Sequence, residues 1–449
     1  MSFFRQSPFT IKKTRKQIRR EHGGLPEADE LTTEEKQRYI KEEFLFSWKG
    51  YTKYSWGSDE NSPITNIPRN TRNGWGATIV DGLDSLYIMG FEKEFNEAKE
   101  FVSKINWASS KEPLFETVIR YLGGFLSAYD LSQDAVFLNK AIELTNLLLP
   151  AFDTPTGIPY QFMNFTSGMP IKSPIACLAE IGSVQIEFTR LSELTGDWKY
   201  HQIGQRVYDS YVNMNNMNGI YPHLINVNNG SPVGEHYTWG GMADSFYEYL
   251  IKQLVVSNGK DEKKFKMVRE IIRGLENKLV VDSSVDPDSS FLVEINGNSP
   301  TYRMDELACF APATLILAAR TFPDDFEHIE HIAKRLLNGC FSAWDSTATG
   351  LAPEVFTWNT KNYFYEQTPP VTPVIKSYIL RPETLESLYY FYVYTHDTIY
   401  QNMAWDIFNS LYTYCRANSG YTGLYNVEDT ENSQDDREER DFKVLVSYF

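Results

Sequence analysis

The fold predicted for this chain is all-α, a ring of helical hairpins, and three observations predict it. A marker made of a small polar residue, an Asp two positions on and an aromatic three further recurs at Ser132-Asp134-Phe137, Thr195-Asp197-Tyr200 and Thr395-Asp397-Tyr400. Weaker copies add Asp261 and Asp324, so the marker steps along the chain by 63, 64, 63 and 73 residues, a period that signals stacked units of one kind. Both flanks carry helical apolar stripes, and the connections between hairpins are long and rich in Gly and Pro, as in Thr154-Pro155-Thr156-Gly157-Ile158-Pro159.

Each element follows from local chemistry. Before the first marker, Val118, Leu122, Phe125, Leu126 and Tyr129 recur at three- and four-residue intervals; after it, Val136, Ala141, Ile142 and the 147–149 leucines continue the stripe. The marker Asp is then the N-cap of the second helix, its carboxylate accepting orphan N–H groups of the first turn. These Asp residues are structural. Hairpins repeated this often either stack as an open solenoid or close into a ring, and the long connections favour the ring, with six or seven hairpins after the leader. Residues 1 to about 36 read as a polar, basic, solvated extension, and the acidic tract from Glu428 to Asp441 reads as a mobile loop ahead of an apolar tail.

Composition narrows the function. With 42% apolar and 23% charged residues the 449-residue chain can bury a large core, and a formal charge of −16 argues against a nucleic-acid partner. No run of 18 apolar residues and no signal-peptide h-region is present, so no membrane span is expected. Its 65 aromatic residues offer flat faces for sugar rings, although core packing accounts for most of them. Four cysteines are too few for a disulfide scaffold, and their spacing assigns no single bridge.

Carboxylates beside aromatics and glycines cluster at Phe115-Glu116 with Arg120, at 241–246 around Asp244, at 352–356 around Glu354, and at 380–387 around Arg381, Glu383 and Glu386. Each is expected at a helix start, where the dipole and free N–H groups hold an anion. Singly, each is best read as a cap. No nucleophile elbow, phosphate loop or Cys/His constellation competes with them, and His328 with His331 forms a solvated pair rather than a zinc site. Paired carboxylates that protonate a leaving oxygen and activate water are what glycoside hydrolysis requires.

The segment Trp75-Gly76-Ala77-Thr78-Ile79-Val80-Asp81-Gly82-Leu83-Asp84-Ser85-Leu86-Tyr87-Ile88-Met89-Gly90, the 115–129 helix, 240–250 and 380–387 resemble the signature blocks of class I α-1,2-mannosidases, glycoside hydrolase family 47, from about Tyr39 to about Thr430. The resemblance implies an (α/α)7 barrel over residues 37–449 and an inverting, Ca2+-dependent hydrolase of terminal α-1,2-mannose on high-mannose N-glycans. It implies Glu116 as general acid acting through water, Glu383 as general base, and Asp244 and Glu354 as further catalytic carboxylates. Arg120 and Arg381 would bind sugar and hold those carboxylates ionised; Asp81, Glu180, Glu187 and Asp305 would line the sugar subsites. Glu386 would lie in the shell of carboxylates around waters on the calcium. Cys309 and Cys340 match the family's disulfide. Met242 falls where endoplasmic-reticulum members usually carry Arg and Golgi-type or fungal members an apolar residue, which implies a Golgi-like or fungal enzyme of broader specificity.

Further expectations follow from the resemblance. Glu306 stands where the family usually has His, placing an anion beside the site. After Tyr425 the family continues into a helix with more carboxylates and a Thr-Glu-Ala-His-like hairpin whose Thr binds calcium directly. The chain stops at Phe449, so the last hairpin and the C-terminal plug are expected to be incomplete and calcium to be held weakly. Asn164-Phe165-Thr166 and Asn229-Gly230-Ser231 are glycosylation sequons, in keeping with a monomer in the Golgi or endoplasmic-reticulum lumen. From a different class, the alternative is a catalytically inactive homologue that binds high-mannose glycans.

Overall fold

The computed structural model describes residues 14–212, 214, 216–358 and 370–436. Its helices run in chain order from α1 (Arg15–Glu21) and α2 (Thr33–Tyr54) through α3 (Ala77–Asp81), α4 (Leu83–Ile88) and α5 (Glu92–Ser103) to α6 (Leu114–Glu116), α7 (Gly123–Ser132) and α8 (Ala135–Leu148). Next come α9 (Leu178–Gly182), α10 (Gln185–Thr195), α11 (Lys199–Val212), α12 (Asp244–Val256), α13 (Glu262–Gly274) and α14 (Ala311–Thr321). The series ends with α15 (Pro323–Phe326), α16 (Glu330–Asp345), α17 (Glu383–Thr395) and α18 (Thr398–Tyr414). Short antiparallel strand pairs occupy the connections.

Alternate helices form an inner circle: α4 packs on α7, α7 on α10, α10 on α12, α12 on α14 and α14 on α17. Each returns through an outer partner, giving the hairpins α4–α5, α7–α8, α10–α11, α12–α13, α14–α16 and α17–α18, with α2 outside the inner circle before the first of them. Because every hairpin runs inner helix first, the inner helices point the same way and their N-termini open at one mouth. The core between the two circles is closed by fully buried Trp48, Trp344 and Trp405 and by the nearly continuous burial of Ala311–Ala319 in α14. Cys309 and Cys340 are joined by a disulfide that ties the start of α14 to α16, while Cys177 and Cys415 are buried thiols.

Marker residues sit where capping chemistry puts them. Asp134 accepts from Val136 N at 3.0 Å, Asp197 from Lys199 N at 3.1 Å, Asp261 from Lys263 N and Lys264 N at 3.1 Å each, and Asp397 from Ile399 N at 3.0 Å. Such a cap contributes about 1 kcal/mol. Asp324 is different: it lies inside α15, a short helix inserted between α14 and α16, and Phe322 precedes that helix without a side-chain cap.

Two expected solvated tracts are folded where they are described. Arg19 is buried and its guanidinium pairs with Glu27 at 2.9 Å and Asp406 at 3.0 Å. Asn409 clamps Leu25 through both backbone groups, Leu25 N donating to Oδ1 at 2.8 Å and Nδ2 donating to Leu25 O at 2.9 Å. The 14–31 stretch is therefore a strap docked on α18, since a buried guanidinium needs both carboxylates. Residues 1–13 lie outside the described residues. At the other end Gln434–Asp435 pairs with Gly423–Leu424, and Asp436 accepts from Ile64 N at 2.7 Å; residues 437–449, with the rest of the acidic tract, lie outside the described residues. Among the described residues one stretch, Ala135–Phe152, is long and apolar enough to cross a membrane, and it forms α8 and the turn after it, packed on α5 and α7.

Candidate active site

Glu116 enters the mouth on the last residue of α6, and the chain then passes through a π-helical stretch, Thr117–Leu122, before α7. Such local widening recurs at functional sites. It leaves Arg120 Nε donating to Glu116 Oε2 at 2.6 Å, while Arg120 Nη1 reaches Asp81 Oδ2 at 3.2 Å and Arg72 Nη2 lies 3.1 Å from Glu116 Oε1. Both Glu116 oxygens thus face guanidinium groups. Glu112, below them, accepts from Thr117 Oγ1 at 3.1 Å and from Asn73; burial pushes its carboxyl up to about 7 against the lowering effect of those bonds and of Arg72. Glu180, in the first turn of α9, accepts from Gln161, and burial raises its proton affinity, with Glu116 adding repulsion.

The second group gathers at the starts of α12, α14 and α17. Asp244 is the first residue of α12 and accepts from Ser245 N at 2.8 Å; burial, then the charges of Asp305 and Glu383, push it up to about 8. Asp305 accepts from Ala308 N and Gly241 N, each at 3.0 Å. That approach explains glycine at 240, where a Cβ would run into the Asp305 carboxylate. Glu354 does not start a helix as expected: it precedes the strand Val355–Trp358, because that strand pairs with both Met304–Asp305 and Val371–Ile375. Its carboxylate still faces the site, accepting from Arg381 Nε at 3.2 Å.

Glu383 opens α17. Burial pushes its carboxyl up to about 7, and Arg381 opposes that rise. Glu386 lies one turn on, and with Asp244, Glu383, Glu248, Trp239 and Leu307 it lines a cavity of about 150 Å³. Glu187 sits lower, accepting from Tyr249 Oη at 2.6 Å, and burial pushes it up to about 7. Glu306, expected as an anion beside the site, is 1% exposed, and burial followed by Glu383 raises its proton affinity well above the carboxylate range, which favours its neutral form.

Backbone strain marks the same loops. Met242 (φ 72°) and Leu380 (φ 62°) adopt the left-handed region without being glycine, two residues before Asp244 and three before Glu383. Met242 O accepts from Ala179 N at 2.8 Å and from Cys177 Sγ at 2.9 Å, which ties the α9 start bearing Glu180 to the loop bearing Asp244 and sets the two groups side by side. Sequence reasoning missed Arg72, Glu112 and Glu248. Glu248 lies four residues after Asp244, on the same face of α12, a spacing that could have revealed it; Arg72 and Glu112 lie in connections with no periodic signal.

Comparison with known proteins places this arrangement. The glycosyl hydrolase family 47 profile matches residues 43–442. The chain is 39% identical over 414 residues to mannosyl-oligosaccharide 1,2-alpha-mannosidase MNS1 of Arabidopsis thaliana, covering 90% of this chain and 72% of that protein. It is 34% identical to mannosyl-oligosaccharide 1,2-alpha-mannosidase IB of Homo sapiens, covering 92% of this chain and 65% of that protein. The structure of an alpha-1,2-mannosidase from Trichoderma reesei superposes with a TM-score of 0.84 at 29% identity, over 91% of this chain and 93% of that one. With its helical barrel and the profile match over most of its length, the chain belongs to glycosyl hydrolase family 47.

Proposed function

We propose that the chain hydrolyses terminal α-1,2-linked mannose from high-mannose N-glycans with inversion at the anomeric carbon. The observation that carries this reading is the setting of Glu383, which faces a polar cavity beside Asp244 and is poised near 7 by burial against Arg381. A base with that affinity is about half ionised at neutral pH and still takes a proton readily. Water gives Glu383 a proton as its oxygen bonds to C1; the C1–oxygen bond to the leaving sugar breaks, and that oxygen takes a proton from the acid. Relatives named as mannosyl-oligosaccharide 1,2-alpha-mannosidases support the substrate.

Glu116, acting through water, is the acid that the family resemblance implies. A second assignment is favoured by one observation: Glu116 is ion-paired to two arginines, whereas Asp244 carries its proton up to about 8. α-Mannosyl fluoride separates them, because fluoride leaves without protonation. The variant of the true acid hydrolyses the fluoride far better than the disaccharide, and the other variant loses both. Release of mannose from α-1,2- but not α-1,3- or α-1,6-linked mannobiose tests the substrate itself.

Enzymes of this family are metal-dependent. Among the described residues no group of three or more His, Cys, Asp or Glu side chains is arranged to ligate a metal directly. Glu248 and Glu386 nevertheless give the cavity oxygen donors, which suit a hard cation held through water. We propose calcium; when bound it would order water and offset the negative charge of the cavity. Calorimetric titration of calcium into the protein and into Glu386→Gln checks this, with weaker binding expected for the variant. We place the chain as a monomer in the secretory pathway, in the Golgi or endoplasmic-reticulum lumen; relatives named as endoplasmic-reticulum enzymes, the disulfide and the exposed sequon at Asn229 support that compartment.

A further inference from the structure

Behind Glu383 two carboxyl groups meet. Those of Glu306 and Glu383 are in hydrogen-bonding contact, and Oε2 of each is buried without any donor group reaching it. Two carboxylates can only accept, so contact of this kind requires a proton between them. Thr384 decides where the rest of Glu306 points, its Oγ1 donating to Glu306 Oε1 at 2.6 Å. Further charged or titratable neighbours are Tyr378 and Glu354, which face both groups, and Arg381 and Asp244 on the Glu383 side. The cation stands with Glu383, so the negative charge settles there and Glu306 keeps the proton.

We propose that Glu306 is a positioning residue for Glu383: as a neutral carboxylic acid it donates from Oε2 to Glu383 Oε2 while Oε1 accepts from Thr384, leaving the other oxygen of Glu383 to take the proton of the attacking water. This rests on reading Glu383 as the base. The backbone supports the arrangement, since Glu306 N donates to Glu354 O at 3.1 Å and Glu306 sits in the 3-10 turn that Asp305 caps, so its Cβ projects from a backbone held in place, while Thr384 Oγ1 holds its Oε1. Once alkali removes the shared proton, two adjacent buried anions remain and the base loses its orientation.

Infrared difference spectra and kinetics test this together. At pH 7 the spectrum of the unaltered protein minus that of Glu306→Gln is expected to show a carboxylic-acid C=O stretching band, and its absence overturns the proposal. In Glu383→Gln the new amide donates to Glu306, so the pH at which that band vanishes is expected to fall; an unchanged pH overturns the proposal even if Glu306→Gln fails to fold. In turnover, Glu306→Leu is expected to lower kcat about tenfold to a hundredfold, the size of a lost hydrogen bond to a charged group, with KM little changed. Glu306→Gln, which can still donate to Glu383 and accept from Thr384, rescues kcat relative to Glu306→Leu. A kcat for Glu306→Gln as low as that of Glu306→Leu overturns the proposal. If the unaltered protein released no mannose, the functional reading would fail while the infrared band still decided the carboxyl pair.

Discussion

Around Glu116 negative charge is met by cations: Arg72 and Arg120 each engage one of its oxygens, and Arg120 also reaches Asp81. Around Glu383 the Arg381 guanidinium, with Arg303 acting on Asp305, stands against Asp244, Asp305, Glu306 and Glu354. The two regions lie side by side at one mouth, yet Glu116 is met by a guanidinium at each oxygen, whereas burial pushes Asp244, Glu306 and Glu383 towards the protonated form, as it does Glu112 in the first region. Their backbones differ in the same way. Asn73 and the glycines at 74 and 76, residues that adopt the left-handed region readily, supply the turns beside the first group, whereas the bulkier Met242 and Leu380 adopt that conformation beside the second. The loops before Asp244 and Glu383 therefore store backbone strain.

The largest expected effect tests the second region. Glu383→Gln removes the base and should lower kcat by about 10²–10⁴-fold, measured as mannose release from an α-1,2-linked oligomannose. A smaller and more discriminating contrast comes from the two arginines. Arg381→Gln takes away the cation that restrains Glu383, so the affinity of that carboxyl rises above about 7. A base is lost as pH falls through its titration, so the acid limb of kcat should move to higher pH, with about a tenfold loss at pH 7. Arg120→Gln should instead raise KM and leave that limb in place. Equal shifts from both variants would erase the distinction between the regions.

These contrasts show how much could be read before the structure. Asp134, Asp197, Asp261 and Asp397 were legible because capping is local chemistry, decided within three residues. Glu116, Asp244 and Glu383 were legible as helix-start carboxylates for the same reason. Glu354 was misplaced because its surroundings are set by strands arriving from residues 304–305 and 371–375, a pairing that no local pattern announces. Arg72 was invisible because its partner lies on a different connection, and the setting of Glu306 was hidden because Glu383, whose charge raises its proton affinity, lies 77 positions away.

Two stability measurements sharpen the comparison further. Asp244 has a folded-state affinity raised to about 8, so the folded protein binds that proton more tightly than the unfolded chain does. The cost of burying Asp244 is therefore absent below its ordinary range and grows as pH rises towards 8. Asp244→Asn should stabilise the fold on the order of 1–3 kcal/mol at pH 8 and leave it unchanged at pH 4, read by urea denaturation. The smallest effect belongs to the strained loop: Met242→Gly should relieve the left-handed backbone and add about 1 kcal/mol, since the Met242 side chain is half exposed and little packing is lost.

Inversion is the claim on which the roles of both regions depend, and proton NMR of the first mannose released from an α-1,2-linked oligomannose tests it directly. Water activated by Glu383 on the face opposite the leaving group must give β-mannose before mutarotation. A β-anomeric signal appearing first is the predicted result, and an initial α-anomeric signal would contradict the account.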